Sequence, residues 1–276
     1  MALAVVALVG LRAGSCLRVD RPYKPLSAKQ LVAALSARAN AVRSVRAETR
    51  MAHQTNQGKV KATVRLMAER GGKLRFDAVS PFDTPLSTLV ANGSDFALVD
   101  AKSNRHYYGP ASPCNLARLL RVRLRPDDVL TLLGGFTPMI AHERAELRWD
   151  ERAGAEVLTL HGSNRKQVIR LQGSSANGRV RWDLLSSEIS DAAGMVLLRI
   201  TAKDHHTVKS LRVPRVISVE QPVYKTSLDV AFKKHEINLA LPEVAFKLPS
   251  AGGMPSQRVD CATRLSTTKA PEKKTK

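Results

Sequence analysis

The spacing of apolar residues changes period along the chain. Leu31, Val32, Leu35 and Val42 recur as one helical face does, and Ser27 stands before them with Gln30 three positions on. That is a capping box, so a helix over Ala28–Ala41 is expected. Beyond it the period drops to two. Val45, Ala47, Thr49 and Met51 alternate with Arg46, Glu48 and Arg50. Val60, Ala62, Val64, Leu66 and Ala68 alternate with more polar neighbours, and Leu74, Phe76 and Ala78 with Lys73, Arg75 and Asp77. Such runs predict antiparallel strands with one dry and one wet face. Asn56-Gln57-Gly58, Gly71-Gly72, Asn92-Gly93 and Asn177-Gly178 separate alternating runs as hairpin turns do.

Further strands are expected near Leu86–Ala91, Asp95–Val99, Arg105–Tyr108, Glu146–Asp150, Glu156–His161, Gln167–Gln172, Arg179–Leu184, Met195–Ala202, Val216–Glu220 and Ser227–Lys233. A helical interlude lies between them. Ser112 caps and Pro113 opens one short helix through Leu116, Leu119 and Leu120. Pro126-Asp127-Asp128 opens a second through Leu130, Leu132 and Leu133, stopped by Gly134-Gly135. This order predicts a mainly β (α+β) single domain, with one continuous, strongly curved sheet or barrel.

The ends differ from the body. Met1–Leu11 is almost wholly apolar and Arg12 ends the run. It is too short for a hydrocarbon core that needs about 20 helical residues, but it suits the apolar part of a secretory signal. Ala13-Gly14-Ser15-Cys16 then resembles the lipobox of bacterial lipoproteins, which implies that Cys16 is acylated and becomes the mature N-terminus. Ala13 stands where that motif usually has leucine. No basic residue precedes the apolar run, so the signal is expected to begin upstream of Met1. The alternative is a frayed apolar terminus with an incidental cysteine. After Pro249 the residues turn small, polar and basic, so 250–276 is expected to be a flexible basic tail. The organisation reads as a signal peptide over 1–15, a lipid-anchored linker over 16–26, the domain over 27–249, and the tail.

The body resembles the LolA/LolB-like family of periplasmic lipoprotein carriers and related outer-membrane lipoproteins. The resemblance is carried by the helix leading into Val42-Arg43-Ser44-Val45-Arg46-Ala47, by Lys73-Leu74-Arg75-Phe76-Asp77-Ala78, Ser80-Pro81-Phe82 and Tyr107-Tyr108-Gly109. The Leu-rich stretch from Leu116 to Gly135 and the closing Ile237-Asn238-Leu239 and Phe246-Lys247-Leu248-Pro249 complete it. It implies an open antiparallel half-barrel, its concave face covered by the N-terminal and short central helices, that takes acyl chains or lipoprotein anchors and catalyses nothing. Leu116, Leu119, Leu120, Leu130 and Leu133 are then candidate cavity or lid residues, or simply core. Phe82 is the candidate membrane-contact residue, or an ordinary buried loop phenylalanine. Leu17 after the cysteine points, by the family rule, to the outer membrane facing the periplasm.

Charge adds one question. Lys and Arg number 44 against 24 Asp and Glu, a net +20, and arginine outnumbers lysine 27 to 17. A basic surface suits anionic lipid headgroups, whereas 4% aromatics leave few rings for stacking bases, so no nucleic acid partner is expected. An Arg-rich composition explains the charge as well. Cys114 and Cys261 remain once Cys16 is acylated; they pair in an oxidising compartment or stay as two thiols. The seven histidines are scattered without metal-ligand spacing, and His205-His206 beside Asp204 reads as a solvated turn. Gly162-Ser163-Asn164 and Gly173-Ser174-Ser175 lack the nucleophile-elbow pattern, and Gly71-Gly72-Lys73 is too short for a phosphate loop. Neither an enzyme, a metal nor a cofactor is expected. The expectation is a lipid-anchored envelope protein binding acyl chains or lipoproteins, in lipoprotein delivery, or a structural or regulatory lipoprotein on the same fold.

Overall fold

A computed structural model describes residues 18–55, 58–176 and 178–260. The expected helix is α1 (Ala28–Ala41), with both halves of its capping box formed: Gln30 N–H donates to the Ser27 hydroxyl and Ser27 N–H to the Gln30 side chain at 2.8 Å. Leu31 and Leu35 are its buried positions. The strands β1 (Ser44–Thr55), β2 (Gly58–Glu69), β3 (Lys73–Val79), β4 (Pro85–Asn92), β5 (Asp95–Asp100) and β6 (Arg105–Pro110) follow as a meander. Gly71 and Gly72 turn β2 into β3 with positive φ, and the Cβ position of Gly72 lies 3.2 Å from Gly93 Cα. Two adjacent hairpin turns touch there because neither carries a side chain.

The two short helices are α2 (Pro113–Leu120) and α3 (Pro126–Leu133), each with proline in its first turn. Between them Val122 and Leu124 are buried while Arg121, Arg123 and Arg125 are exposed, so the link alternates like a strand without pairing as one. A second meander runs β7 (Arg144–Asp150), β8 (Ala155–His161), β9 (Arg165–Ala176), β10 (Arg179–Asp191), β11 (Val196–Val208), β12 (Leu211–Gln221) and β13 (Thr226–Ile237). β13 pairs antiparallel with β1, which fuses the two meanders into one open sheet of 14 strands in the order β14-β6-β5-β4-β3-β2-β1-β13-β12-β11-β10-β9-β8-β7. Its core face, carrying Leu66, Phe76, Leu158, Ile169, Leu184 and Ile200, packs with α1, α2 and α3 in one hydrophobic core.

Two readings are corrected. The domain does not end at Pro249: a 3-10 turn (Glu243–Phe246) packs on β3 and β4, and β14 (Ser256–Arg258) joins the edge as a parallel partner of β6. Val259 then enters the core. One buried valine and a backbone ladder hold a segment whose own composition argues against order, and they make the sheet mixed rather than purely antiparallel. His205 and His206 are not in a turn either. They sit inside β11 opposite Pro214 and Val213, after Asp204 has taken a positive φ of 56°. The expected turn falls later, at Lys209 and Ser210, because the strand continues through the polar run.

Candidate functional site

The concave face is built by the inward rows of β1–β13, and α2 and α3 pack over it. Leu116, Leu120, Leu130 and Leu133 are buried and Leu119 is packed against the same core. Their side chains meet the sheet, where Met51, Phe76, Leu120, Leu133, Ile217 and Val230 are among the residues that line an apolar cavity of about 40 Å³. That volume is room for about one or two waters and far short of an acyl chain. Polar ties reach both helices of the cover. Gly72 N–H donates to Asp127 at the start of α3 at 3.1 Å, and Asn115 Nδ2 on α2 donates to the carbonyls of Pro110 and Val259.

Toward the ends of β8–β11 the same face opens. Gln167, Ile189 and Leu198 continue the inward row, since Gln167 is registered with Ile189 and Ile189 with Leu198. Beyond them lies a cavity of about 690 Å³, lined among others by Leu124, Ile140, Ile189 and Leu198, with Arg123, Arg125 and Arg165 on it. Leu124 lines this vestibule and the smaller apolar cavity alike. Gln221 is buried at its side and holds Arg123 by the backbone: Arg123 N–H donates to Gln221 Oε1 at 2.8 Å, and Gln221 Nε2 donates to the Arg123 carbonyl at 2.9 Å. The Arg123 guanidinium lies over the Tyr224 ring, 4.1 Å from its centroid. Arg125 is instead consumed by Asp128 at 2.8 Å. The alternating arginines were visible in the sequence, but Gln221, 98 residues away, was not.

At the other ends of β7–β10 the face is sealed. Residues 18–26 cross it: Val19 N–H donates to the Glu151 carbonyl, and Trp149 Nε1 donates to the Val19 carbonyl. Glu156 is 0% exposed and meets Arg21 at 2.8 Å and the Tyr23 hydroxyl at 3.3 Å. Tyr23 stands edge-on to Trp149 and Trp182, and burial first, then the Glu156 charge, raises its phenol above the ordinary range. Next to it Arg38 of α1 donates to the carbonyls of Trp182 and Arg212, while Arg212 pairs with Asp183. Burial lowers the Arg38 guanidinium to about 10 against the opposing pull of Asp183. His235, stacked on Phe232 and near His206, is pushed down to about 4 by burial.

Phe82 is not a buried loop residue. It is 90% exposed at the tip of the β3–β4 turn, which the Ser80 hydroxyl pins by accepting from the Phe82 and Thr84 amides. Cys114 in α2 is disulfide-bonded; Cys16 and Cys261 both lie outside the described residues.

Comparison with known proteins places the architecture. No family model matches the chain, and no curated protein matches its sequence. Among solved structures, a putative outer membrane lipoprotein-sorting protein domain from Vibrio parahaemolyticus is similar over 79% of this chain and 95% of its own, with a TM-score of 0.53 and 14% identity. A DUF1329 family protein from Desulfovibrio piger is similar over 80% and 98%, with a TM-score of 0.54 and 10% identity. A LolA superfamily protein from Nitrosomonas europaea is similar over 81% and 98%, with a TM-score of 0.52 and 11% identity. The half-barrel of this chain is structurally similar to LolA superfamily and lipoprotein-sorting domains.

Proposed function

We propose that this protein is a lipid-binding component of the bacterial cell envelope, without catalytic activity, whose half-barrel takes acyl chains or lipoprotein anchors beneath α2 and α3. The observation that carries the reading is the apolar concave face with its short leucine-bearing cover and residual apolar cavity, in a fold shared with a putative lipoprotein-sorting domain. At about 40 Å³ the cavity is too small for an acyl chain, so uptake requires α2 and α3 to part from the sheet. Each methylene that enters gains about 0.8 kcal/mol. The finer reading anchors the chain through a diacylglyceryl group on Cys16 at the outer membrane, facing the periplasm, and gives it a part in lipoprotein delivery. Phe82, exposed on a pinned turn, serves there as the bilayer contact. Cys261 is the proposed partner of Cys114, because Val259, two residues earlier, is already held against α2 by Asn115. The pair then ties the cover to the sheet edge in an oxidising compartment.

The test is native mass spectrometry of the full chain carrying Cys16→Ser, with organic extraction of the same sample. Stoichiometric acyl species, lost in Leu130→Glu or Leu133→Glu, support the reading. Hydrogen exchange gives a second readout on the unsubstituted cover: added lipopeptide raises exchange in α2 and α3 if they open. A clean apo mass with no uptake and no change in exchange overturns it. The small volume of the cavity favours one competing reading, a structural or regulatory lipoprotein with its groove permanently filled by side chains, and that result would select it.

A further inference from the structure

The vestibule carries chemistry that an uncharged acyl anchor does not need. Arg123 is fixed by both backbone hydrogen bonds to Gln221 and its guanidinium is spread on Tyr224. Among the described residues no carboxylate pairs with it. Arg165 is likewise without an ion pair among the described residues. Asp191, its neighbour in register, has its carboxylate turned to the amides of Ala193 and Met195. Arg125, between Arg123 and α3, is already neutralised by Asp128. Two cations are therefore left available at the edge of a cavity whose floor is Ile140, Ile189 and Leu198. Its volume of about 690 Å³ falls within the range of small-molecule sites, about 300–1,000 Å³.

We infer that this vestibule binds an anionic amphiphile, with Arg123 and Arg165 on its phosphate or carboxylate headgroup and its chain on Ile140, Ile189 and Leu198. The guanidinium fork suits either oxyanion, and stacking on Tyr224 reduces the side-chain freedom Arg123 loses on binding. A free inorganic anion would leave the apolar floor wet, and a neutral amphiphile would leave the arginines unused. Leu124, shared with the smaller apolar cavity, is the one lining residue between headgroup seat and acyl groove that faces both. The inference rests on the lipid-binding reading for the amphiphilic character of the ligand and adds its charge. It does not require α2 and α3 to part, so the two can fail separately.

The experiment titrates the full chain carrying Cys16→Ser with dodecyl phosphate, dodecyl maltoside and inorganic phosphate by calorimetry below the micellar range. Dodecyl phosphate is expected to bind one to one, and more tightly than either of the others by about tenfold or more. Arg123→Glu and Arg165→Glu, both at exposed positions, should each weaken it by about tenfold while leaving the maltoside unchanged. Equal affinity for the two dodecyl amphiphiles, or indifference to both arginine variants, overturns the inference. So does inorganic phosphate binding as tightly as dodecyl phosphate, which would mark a bare anion site. Leu133→Glu separates the failures: it should abolish acyl uptake under the helices and spare dodecyl phosphate in the vestibule.

Discussion

The two ends of β8–β10 are made alike by sequence and differently by packing. Both ends alternate, and both turn an inward row toward the concave face. At the Glu156, Gly173 and Trp182 end, residues 18–26 lie across that row, and Tyr23 fits only because residue 173 has no side chain to meet its ring. At the Arg165 and Ile189 end residues 137–140 cover the row only as far as Gln167, whose side chain accepts from the Ile140 amide and donates to the Pro138 carbonyl, and beyond it the row runs out into the vestibule. The polar groups follow the covering. The sealed end buries a carboxylate and satisfies it with Arg21 and Tyr23, whereas the open end keeps its arginines in water. Which face is dry is decided strand by strand. Where the dry face ends is decided by segments far away in the chain.

The largest effect should come from unsealing the closed end. Arg21→Met leaves Glu156 buried without its cation, and breaking such a pair costs about 3–5 kcal/mol. For a domain of this size that is a fall in melting temperature of about 6–20 °C, read by calorimetry. The double variant Arg21→Met, Glu156→Leu should recover most of the loss, because the buried carboxylate left without its cation is then gone. Equal melting of the single and double variants would show that the seal is made by Tyr23 and the tryptophans alone.

The next effect is one of pH. His235 sits at about 4 in the folded chain against 6.5 unfolded, so the unfolded state takes up its proton first as pH falls. Stability is full above pH 6.5 and declines between 6.5 and 4 by at most about 3 kcal/mol. His206, also lowered by burial, adds to the slope with the same sign. Denaturant midpoints across that range measure it, and His235→Leu should flatten the curve. An unchanged slope in that variant would assign the decline to other groups.

Much of this was legible in the sequence and the rest was not, for a physical reason in each case. Helix α1 was readable to its end residues because the Ser27–Gln30 box and the helical spacing are both local. The strands were found by alternation, but β9, β10 and β11 run well past the expected segments. Their ends carry polar residues that pair through backbone and give no apolar signal. β14 was missed because three residues, all exposed, owe their place to a partner strand 150 residues away. Of the site, the leucines of α2 and α3 and the arginines of the link were visible as residue types. The clamp by Gln221 and the burial of Glu156 are long-range contacts with no local pattern.

At the open end a smaller cost is expected. Gln221→Ala leaves the Arg123 amide and carbonyl without their partner, a loss of about 1–2 kcal/mol where the link is half-covered. The same variant should weaken dodecyl phosphate binding although Gln221 is not a ligand, because Arg123 is no longer held over Tyr224. Gln221→Glu keeps one acceptor for the Arg123 amide and should retain more stability than Ala. A loss of stability with unaltered binding would show that Arg123 finds the headgroup without its clamp.

The smallest change in fold stability belongs to Phe82. Following the antiparallel pairs across the sheet through β1 and β13, the β3–β4 turn lies on the same row of strand ends as the vestibule, and opposite the row crossed by residues 18–26. At 90% exposure its ring contributes almost nothing to the core, so Phe82→Ser should leave the melting point within the range of a neutral surface change, about 0.5 kcal/mol. What it should alter is partition onto vesicles, since a phenylalanine ring moved out of water is worth about 1.5–3 kcal/mol. Flotation with phosphatidylglycerol vesicles, using the chain with Cys16→Ser so that no anchor masks the effect, should show binding reduced by about tenfold or more. Phe82→Trp should restore it. If the serine variant floats as well as the parent, the exposed ring is not the bilayer contact, and the open row of strand ends meets the membrane through its arginines alone.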